Sequence, residues 1–154
     1  MYITLFRLTK YRRLMMSNIQ SFEWTPTKNL LIMIGSNGSG KSSIMDELSP
    51  LPSRHTNFEK EGTKECHCTH NGSRYVLLSK YGHGTGSHSF IRDNIELNTG
   101  NTYKVQEDLC YQEFGITKEL HDICTGRIKF TQLSTAKRRD ILTRMSVVDL
   151  DETF

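Results

Sequence analysis

Apolar positions fall into three regimes along the 154 residues. Near the start, Ile3, Leu5 and Leu8 alternate loosely with polar neighbours, and Leu14-Met15-Met16 and Phe22-Glu23-Trp24 are two further short apolar stretches. Alternation predicts strands. This part therefore reads as a strand pair that leads, through the turn-forming Pro26-Thr27-Lys28-Asn29, into Leu30-Leu31-Ile32-Met33-Ile34. An unbroken apolar run of that length suits a strand buried on both faces. Ser42 to Leu48 predicts one to two turns of helix, stopped by Ser49-Pro50-Leu51-Pro52.

The middle of the chain changes period. Glu65 to Thr69 and Arg74 to Lys80 predict two strands around Asn71-Gly72, the strongest short hairpin signal. Tyr81 to Ser89, rich in glycine, serine and histidine, reads as a loop. Phe90 to Leu97 alternates and predicts one half-buried strand, closed by a turn at Asn98-Thr99-Gly100-Asn101. Beyond it the period becomes helical. Thr102 to Phe114 places Val105, Leu109 and Phe114 as its apolar positions, and Gly115 suits a helix end. Lys118 to Cys124 is a shorter helical turn ended by Thr125-Gly126. Ser134 caps a last helix to Met145, with Ala136, Ile141, Leu142 and Met145 on one face. Lys137, Arg138, Arg139 and Arg144 lie on the other side; a solvated face is the plainer role for them, and a DNA-phosphate patch the sharper one. The parts are residues 1–52, an antiparallel block at 62–104, and a helical part at 105–154, all within one domain.

Composition narrows the class. Apolar residues make up 36% and the mean hydropathy is −0.51, which predicts a soluble chain. No apolar run approaches the ~20 residues of a membrane span. The first residues lack the basic region and cleavage site of a secretory signal. With no export signal, Cys66, Cys68, Cys110 and Cys124 are expected as free thiols in a cytoplasmic protein. A net charge of +3 is too small to argue for nucleic acid alone.

Candidate chemistry concentrates in Gly35-Ser36-Asn37-Gly38-Ser39-Gly40-Lys41-Ser42, which fits the phosphate-binding pattern G-x-x-x-x-G-K-S. The glycines let backbone N–H groups point inward, and those amides with the helix start hold phosphate oxygens. The expected binding residues are Ser36, Asn37, Gly38, Ser39, Gly40, Lys41, Ser42 and Ser43. Lys41 reaches the β- and γ-phosphates, and the Ser42 hydroxyl ligates Mg²⁺. The expected ligands are a nucleoside triphosphate, ATP, and Mg²⁺.

Further segments carry a family resemblance. Leu14 to Phe22 resembles the opening strand of the SMC-like recombination and repair ATPases, with Asn18-Ile19 where that family has an Asn-Phe pair. The phosphate loop follows at the family's distance, and Phe130-Thr131-Gln132-Leu133-Ser134-Thr135-Ala136-Lys137-Arg138-Arg139 resembles the segment where the lobe gives way to a coiled coil. The family includes the bacterial SbcC exonuclease subunit and the phage recombination endonuclease ATPase subunit. The resemblance implies an α/β fold, the N-terminal lobe of an ABC/SMC-type P-loop NTPase with an inserted antiparallel β block and C-terminal helices. It implies a C-terminal ATPase lobe carrying the signature motif and Walker B carboxylates, a second head, a partner nuclease subunit and DNA as partners, and no membrane. It also implies an ATP-driven role in recombination or double-strand-break processing, with little turnover by this lobe alone. A free-standing lobe that docks on a complete ATPase–nuclease complex is the alternative; a small metabolite kinase is disfavoured by the antiparallel block.

The sequence departs from the family in three places. Ser17 stands where the family has a basic residue, for which Arg12 or Arg13 substitutes only with a shift of register. Asp122 stands where the family's mid-domain glutamine is expected. Val147-Val148-Asp149-Leu150-Asp151-Glu152 mimics a Walker B strand, but Asp149 interrupts it and a helix tail is the better reading. Elsewhere, Cys66, Cys68 and His70 share a strand face, and His67, His83 or His88 are near in sequence. The C-x-C-x-H spacing without a second pair argues against zinc. Tyr75, Tyr81 and Phe90 beside Arg74, Lys80 and Arg92 read as packing residues rather than as a base-stacking platform.

Overall fold

The computed structural model describes residues 1–28, 32–82 and 84–145, and the side chains of residues 144 and 145 lie outside that description. The chain divides into two units, Met1–Thr117 and Lys118–Phe154.

The first unit is built on strands β1 (Tyr2–Tyr11), β2 (Ser21–Trp24), β3 (Phe58–His70), β4 (Ser73–Tyr81), β5 (Gly86–Arg92) and β6 (Ile95–Glu96). They form one six-stranded sheet in the order β2-β1-β3-β4-β5-β6, and every neighbouring pair is antiparallel. Helices α1 (Arg12–Met15), α2 (Lys41–Glu47) and α3 (Tyr103–Phe114) interrupt or follow the strands. The β3–β4 turn is the one expected: Asn71 and Gly72 have φ of 48° and 81°, the doubly left-handed geometry that matches strand twist. The stretch from Phe90 to Leu97 is a second hairpin rather than one strand. Asp93 and Asn94 turn it with φ of 48° and 70°, and the Asp93 carboxylate accepts the Arg74 amide at 2.9 Å. Asp and Asn tolerate this backbone region because their short side chains bond locally.

One face of the sheet is the core. Phe6 and Leu8, Cys66 and Cys68, Tyr75, Leu77 and Tyr81, and Phe90 alternate inward from four strands. Each large apolar side chain so buried contributes about 1.5–3 kcal/mol. Phe58 stacks on Tyr81 at 4.2 Å between ring centroids, and Phe114 meets the Tyr75 ring edge-on at 4.9 Å. Tyr75, Tyr81 and Phe90 are thus packing residues. Helix α3 starts where the Thr102 side chain accepts the Val105 amide and ends at Gly115 with φ of 67°. Its buried positions are Gln106 and Cys110, while Val105 is exposed. Gln106 is tolerated inside because it donates to the Ser89 carbonyl at 3.1 Å and accepts from Asn98 at 3.2 Å.

The second unit carries α4 (Lys118–Cys124) and α5 (Thr135–Met145). Ser134 caps α5, its Oγ accepting the Lys137 amide at 3.3 Å, and Lys137 bonds Glu119 at 2.8 Å. The Walker B-like residues 147–152 lie outside the described residues. Among the described residues no helix is long and apolar enough to cross a membrane.

The expected α/β P-loop NTPase architecture of the ABC/SMC type is corrected by this topology. Among the described residues the sheet has no parallel pair. The block at 62–104 is not inserted beside a nucleotide-binding sheet; its strands continue the sheet that β1 and β2 begin. Ile32 to Ser36 form no strand, and Ile32 and Ile34 are 71% and 91% exposed. Residues 29–31, the end of the expected turn and the start of the expected strand, lie outside the described residues. A buried parallel strand needs neighbours on both edges and helices on both faces. After the seven-residue α2 the chain instead returns as β3 and pairs antiparallel with β1. The opening strand expected over Leu14–Phe22 is also divided: Leu14 and Met15 belong to α1, and only Ser21–Trp24 is a strand.

Candidate functional site

Residues 35–43 form a tight curl that ends as the first turn of α2. The Ser39 amide donates to the Ser36 carbonyl at 3.3 Å, and Gly38 and Gly40 have φ of 81° and 87°. Gly40 is required twice over. Its backbone is left-handed, and a Cβ there would lie 2.7 Å from Leu14 Cδ2. The loop therefore rests on α1 instead of on a buried strand. Leu14 is 1% exposed beneath Gly40, and the Ser17 hydroxyl donates to the Gly38 carbonyl at 2.6 Å.

Lys41 folds back across the curl. Its ammonium donates to the carbonyls of Gly35 and Ser36, each at 2.7 Å, and to Ser39 Oγ at 3.2 Å. A Cβ on Gly35 would meet that same Ser39 hydroxyl at 2.7 Å. The first intrahelical bond of α2 runs from the Ile44 amide to the Gly40 carbonyl, at 2.9 Å. The amides of Lys41, Ser42 and Ser43 therefore have no acceptor within the helix. Beside the curl lies an open cleft of about 520 Å³, lined by residues 37–43 on the loop side and by Arg13, Met16 and Ser17 from α1 and the turn after it. Ser42 is exposed there, whereas Ser43 is 8% exposed. The arrangement offers a fixed ammonium, unshared amide donors and the Ser42 hydroxyl to an anion and its metal.

The inner end of α2 is tied to the sheet. Glu47, 5% exposed, meets Lys64 of β3 at 3.2 Å, and Ser53 and Asn57 also bond its carboxylate. The Ser53 amide donates to the Tyr81 hydroxyl at 3.0 Å, and burial pushes that phenol up to about 12. Arg13 bonds Asp46 of α2 at 2.5 Å.

The structure gathers Asn37, Gly38, Ser39, Gly40, Lys41, Ser42 and Ser43 around one cleft, with Ser36 behind it as a carbonyl acceptor for Lys41. Of the two arginines before Ser17, it is Arg13 that lines the cleft; Arg12 meets Glu59 and the Phe58 carbonyl instead. Asp122 belongs to α4 in the second unit, where its carboxylate holds Lys118 at 2.5 Å. Cys66, Cys68 and His70 share one face of β3, which is the core face and not an exposed one. Both thiols are buried, and the Cys66 thiol is pushed up by its hydrogen bond to Cys68 and by burial. His70 packs on Phe114, and His67 bonds Glu65 on the opposite face. Among the described residues no group of three or more His, Cys, Asp or Glu could hold a metal ion. The contributions of Arg13 and Met16 were not legible in the motif, because they reach the loop through tertiary packing across some twenty residues.

Comparison with models of known protein families found no match, and comparison with curated proteins found none either.

Proposed function

We propose that this cleft binds the phosphates of ATP with Mg²⁺, and that the chain serves as the ATP-binding lobe of a DNA recombination and break-processing ATPase of the SMC-like kind. The observation that carries the first part is Lys41. Its ammonium sits among three loop oxygens at the rim of the cleft beside the start of α2, and one of those oxygens gives way to a phosphate oxygen when the ligand binds. Ser42, exposed at the same rim, is the Mg²⁺ ligand. The wider role rests on the order of the segments that resemble that family. On this reading the chain works in the cytoplasm, joined to a C-terminal ATPase lobe and a second head, and gates a partner nuclease on DNA.

Calorimetric titration of Mg–ATP tests the site. Lys41→Ala weakens binding ten-fold or more, as expected for a charged hydrogen bond of about 1.5–3 kcal/mol. Equal curves for mutant and parent count against the reading. The chain alone turns over ATP near background, because no carboxylate lines the cleft among the described residues. Phosphate release at roughly 1 s⁻¹ or more, abolished by Lys41→Ala, refutes that.

The exposed Ile32 and Ile34 favour a second reading, in which the chain docks on a complete ATPase–nuclease complex and restrains it. Adding the purified chain to such a complex and following nuclease rate separates the two: inhibition at stoichiometric amounts supports docking.

A further inference from the structure

The chain holds the triplet Asn-Gly-Ser twice, as Asn37-Gly38-Ser39 in the phosphate curl and as Asn71-Gly72-Ser73 in the β3–β4 hairpin. An Asn-Gly step is open to attack by the main chain on the side-chain amide, because glycine leaves its own amide nitrogen unshielded. Both steps are exposed, and both glycines have φ of 81°. The two sites differ in what holds them. Asn71 is clamped: its φ is 48°, and His70 and Ser73 pair directly across the turn at the end of β3 and β4. At Asn37 the step is spanned by one long turn bond, from the Ser39 amide to the Ser36 carbonyl at 3.3 Å. The Lys41 ammonium bonds that same Ser36 carbonyl and Ser39 Oγ, and Arg13 lines the cleft with Asn37.

We propose that Asn37 is a site of spontaneous modification, at which the chain closes a succinimide and releases ammonia, while the hairpin holds back the same step at Asn71. Solvent hydroxide removes the Gly38 amide proton, and the nitrogen attacks Asn37 Cγ. The N–Cγ bond forms, and the side-chain nitrogen leaves as ammonia with a proton from water. Water then adds to either ring carbonyl, and aspartate or isoaspartate results. Ring closure needs the Asn37 side chain and the Gly38 peptide to rotate toward each other. The curl makes that rotation by giving up one bond, whereas the hairpin must first unzip its end. The attacking nitrogen and the tetrahedral oxygen are anionic, and the cations on the rim of the same cleft favour them. The modification stands on the loop geometry alone; its effect on a ligand rests on the phosphate-binding reading above. Asn37 lines the cleft, so either product sets a carboxylate against the phosphates. Isoaspartate also adds a methylene to the main chain beside Gly38, whose carbonyl the Ser17 hydroxyl holds at 2.6 Å. The site thus loses its ligand with age, and a bound triphosphate, by fixing the curl, delays the loss.

The test is peptide mapping by mass spectrometry of the full chain kept at mildly alkaline pH, folded and in urea. In the folded chain Asn37 is expected to convert about ten-fold faster than Asn71, and in urea, where neither triplet is held, the rates converge. Saturating Mg–ATP slows Asn37 and leaves Asn71 unchanged. Asn71→Asp, which keeps an Asp-Gly turn, loses ATP-binding stoichiometry on storage at the parent's pace. Asn37→Asp binds Mg–ATP about ten-fold more weakly by calorimetry, with its melting temperature showing that it is folded. Equal conversion of the two steps in the folded chain overturns the proposal. So does an Asn37 lead that persists in urea, because the neighbouring residues and not the fold would then set it. Parent-like binding by Asn37→Asp overturns the ageing of the site. A fresh parent that binds no Mg–ATP defeats the phosphate-binding reading instead, and the comparison of folded chain with urea still decides the modification.

Discussion

The ion pair between Glu47 and Lys64 is the most deeply buried one among the described residues. Their side chains are 7% and 5% exposed, and the ammonium also bonds Ser53 Oγ at 3.3 Å and lies 5.9 Å from the centroid of the Phe6 ring. Lys64→Met leaves the Glu47 carboxylate inside with Ser53 and Asn57 as its remaining partners. Stranding one charge of a buried pair costs about 3–5 kcal/mol. That is about a fifth or more of the 5–15 kcal/mol typical of a whole domain. Glu47→Leu strands the Lys64 ammonium and costs about the same. The double substitution removes both charges and leaves chiefly the Ser53 hydroxyl short of an acceptor, for which about 1–2 kcal/mol is expected. The double mutant should therefore be more stable than either single one. Urea unfolding followed by circular dichroism measures all four proteins, and Glu61→Gln, on the exposed Lys10 pair, should leave the midpoint in place. A loss below about 1 kcal/mol in Lys64→Met, or single effects that simply add in the double mutant, would show that water reaches the pair and refute the reasoning.

Two predictions concern backbone and pH. Gly40→Ala should destabilise by about 2–4 kcal/mol, adding left-handed strain to a clash with Leu14, whereas Gly38→Ala, with nothing within 4 Å of its new Cβ, should cost only about 1–2 kcal/mol. Equal losses by urea unfolding would refute the role given to Leu14. At alkaline pH, Tyr81 binds its proton more tightly folded, at about 12, than unfolded, near ~10. Its contribution is complete below the unfolded value and is lost as pH rises through the folded one, up to about 3 kcal/mol. Unfolding midpoints taken from pH 9 to 11.5 should fall, and fall less in Tyr81→Phe; parallel slopes would refute it.

Local chemistry was legible and tertiary context was not. Asn71-Gly72, the Thr102 and Gly115 helix ends and the Ser134 cap all stand where the residues place them, because each is decided within a few positions. The phosphate-loop residues lie together around one cleft for the same reason. The apolar run before the loop misled, because hydrophobicity says that a segment needs cover and not that the cover is present; Ile32 and Ile34 are exposed. The turn at Asp93-Asn94 does not stand out in the sequence, because alternation continues on both sides of it. Gln106 was not expected inside α3, since its burial depends on Asn98 and the Ser89 carbonyl, which local periodicity does not report. Arg13 reaches the cleft only through the burial of Leu14 next to it.

The pairing of β1 with β3 sets the order of assembly. Phe6 faces Cys66, so about sixty residues separate two adjacent rungs, and the whole candidate site lies in that excursion. The β3–β4 hairpin, by contrast, closes over two residues. Joining the ends of a flexible sixty-residue segment costs about 3.6 kcal/mol of chain entropy beyond a length-independent constant. Non-local pairing of this kind forms late. Hairpins 3–4 and 4–5 are thus the scaffold on which β1 docks, and the phosphate curl takes shape only when that last strand arrives. A ligand held by the curl has nothing to grip in the folding transition state. It should leave the refolding rate unchanged and slow unfolding, so that nucleotide lengthens the lifetime of the native molecule without hastening its birth.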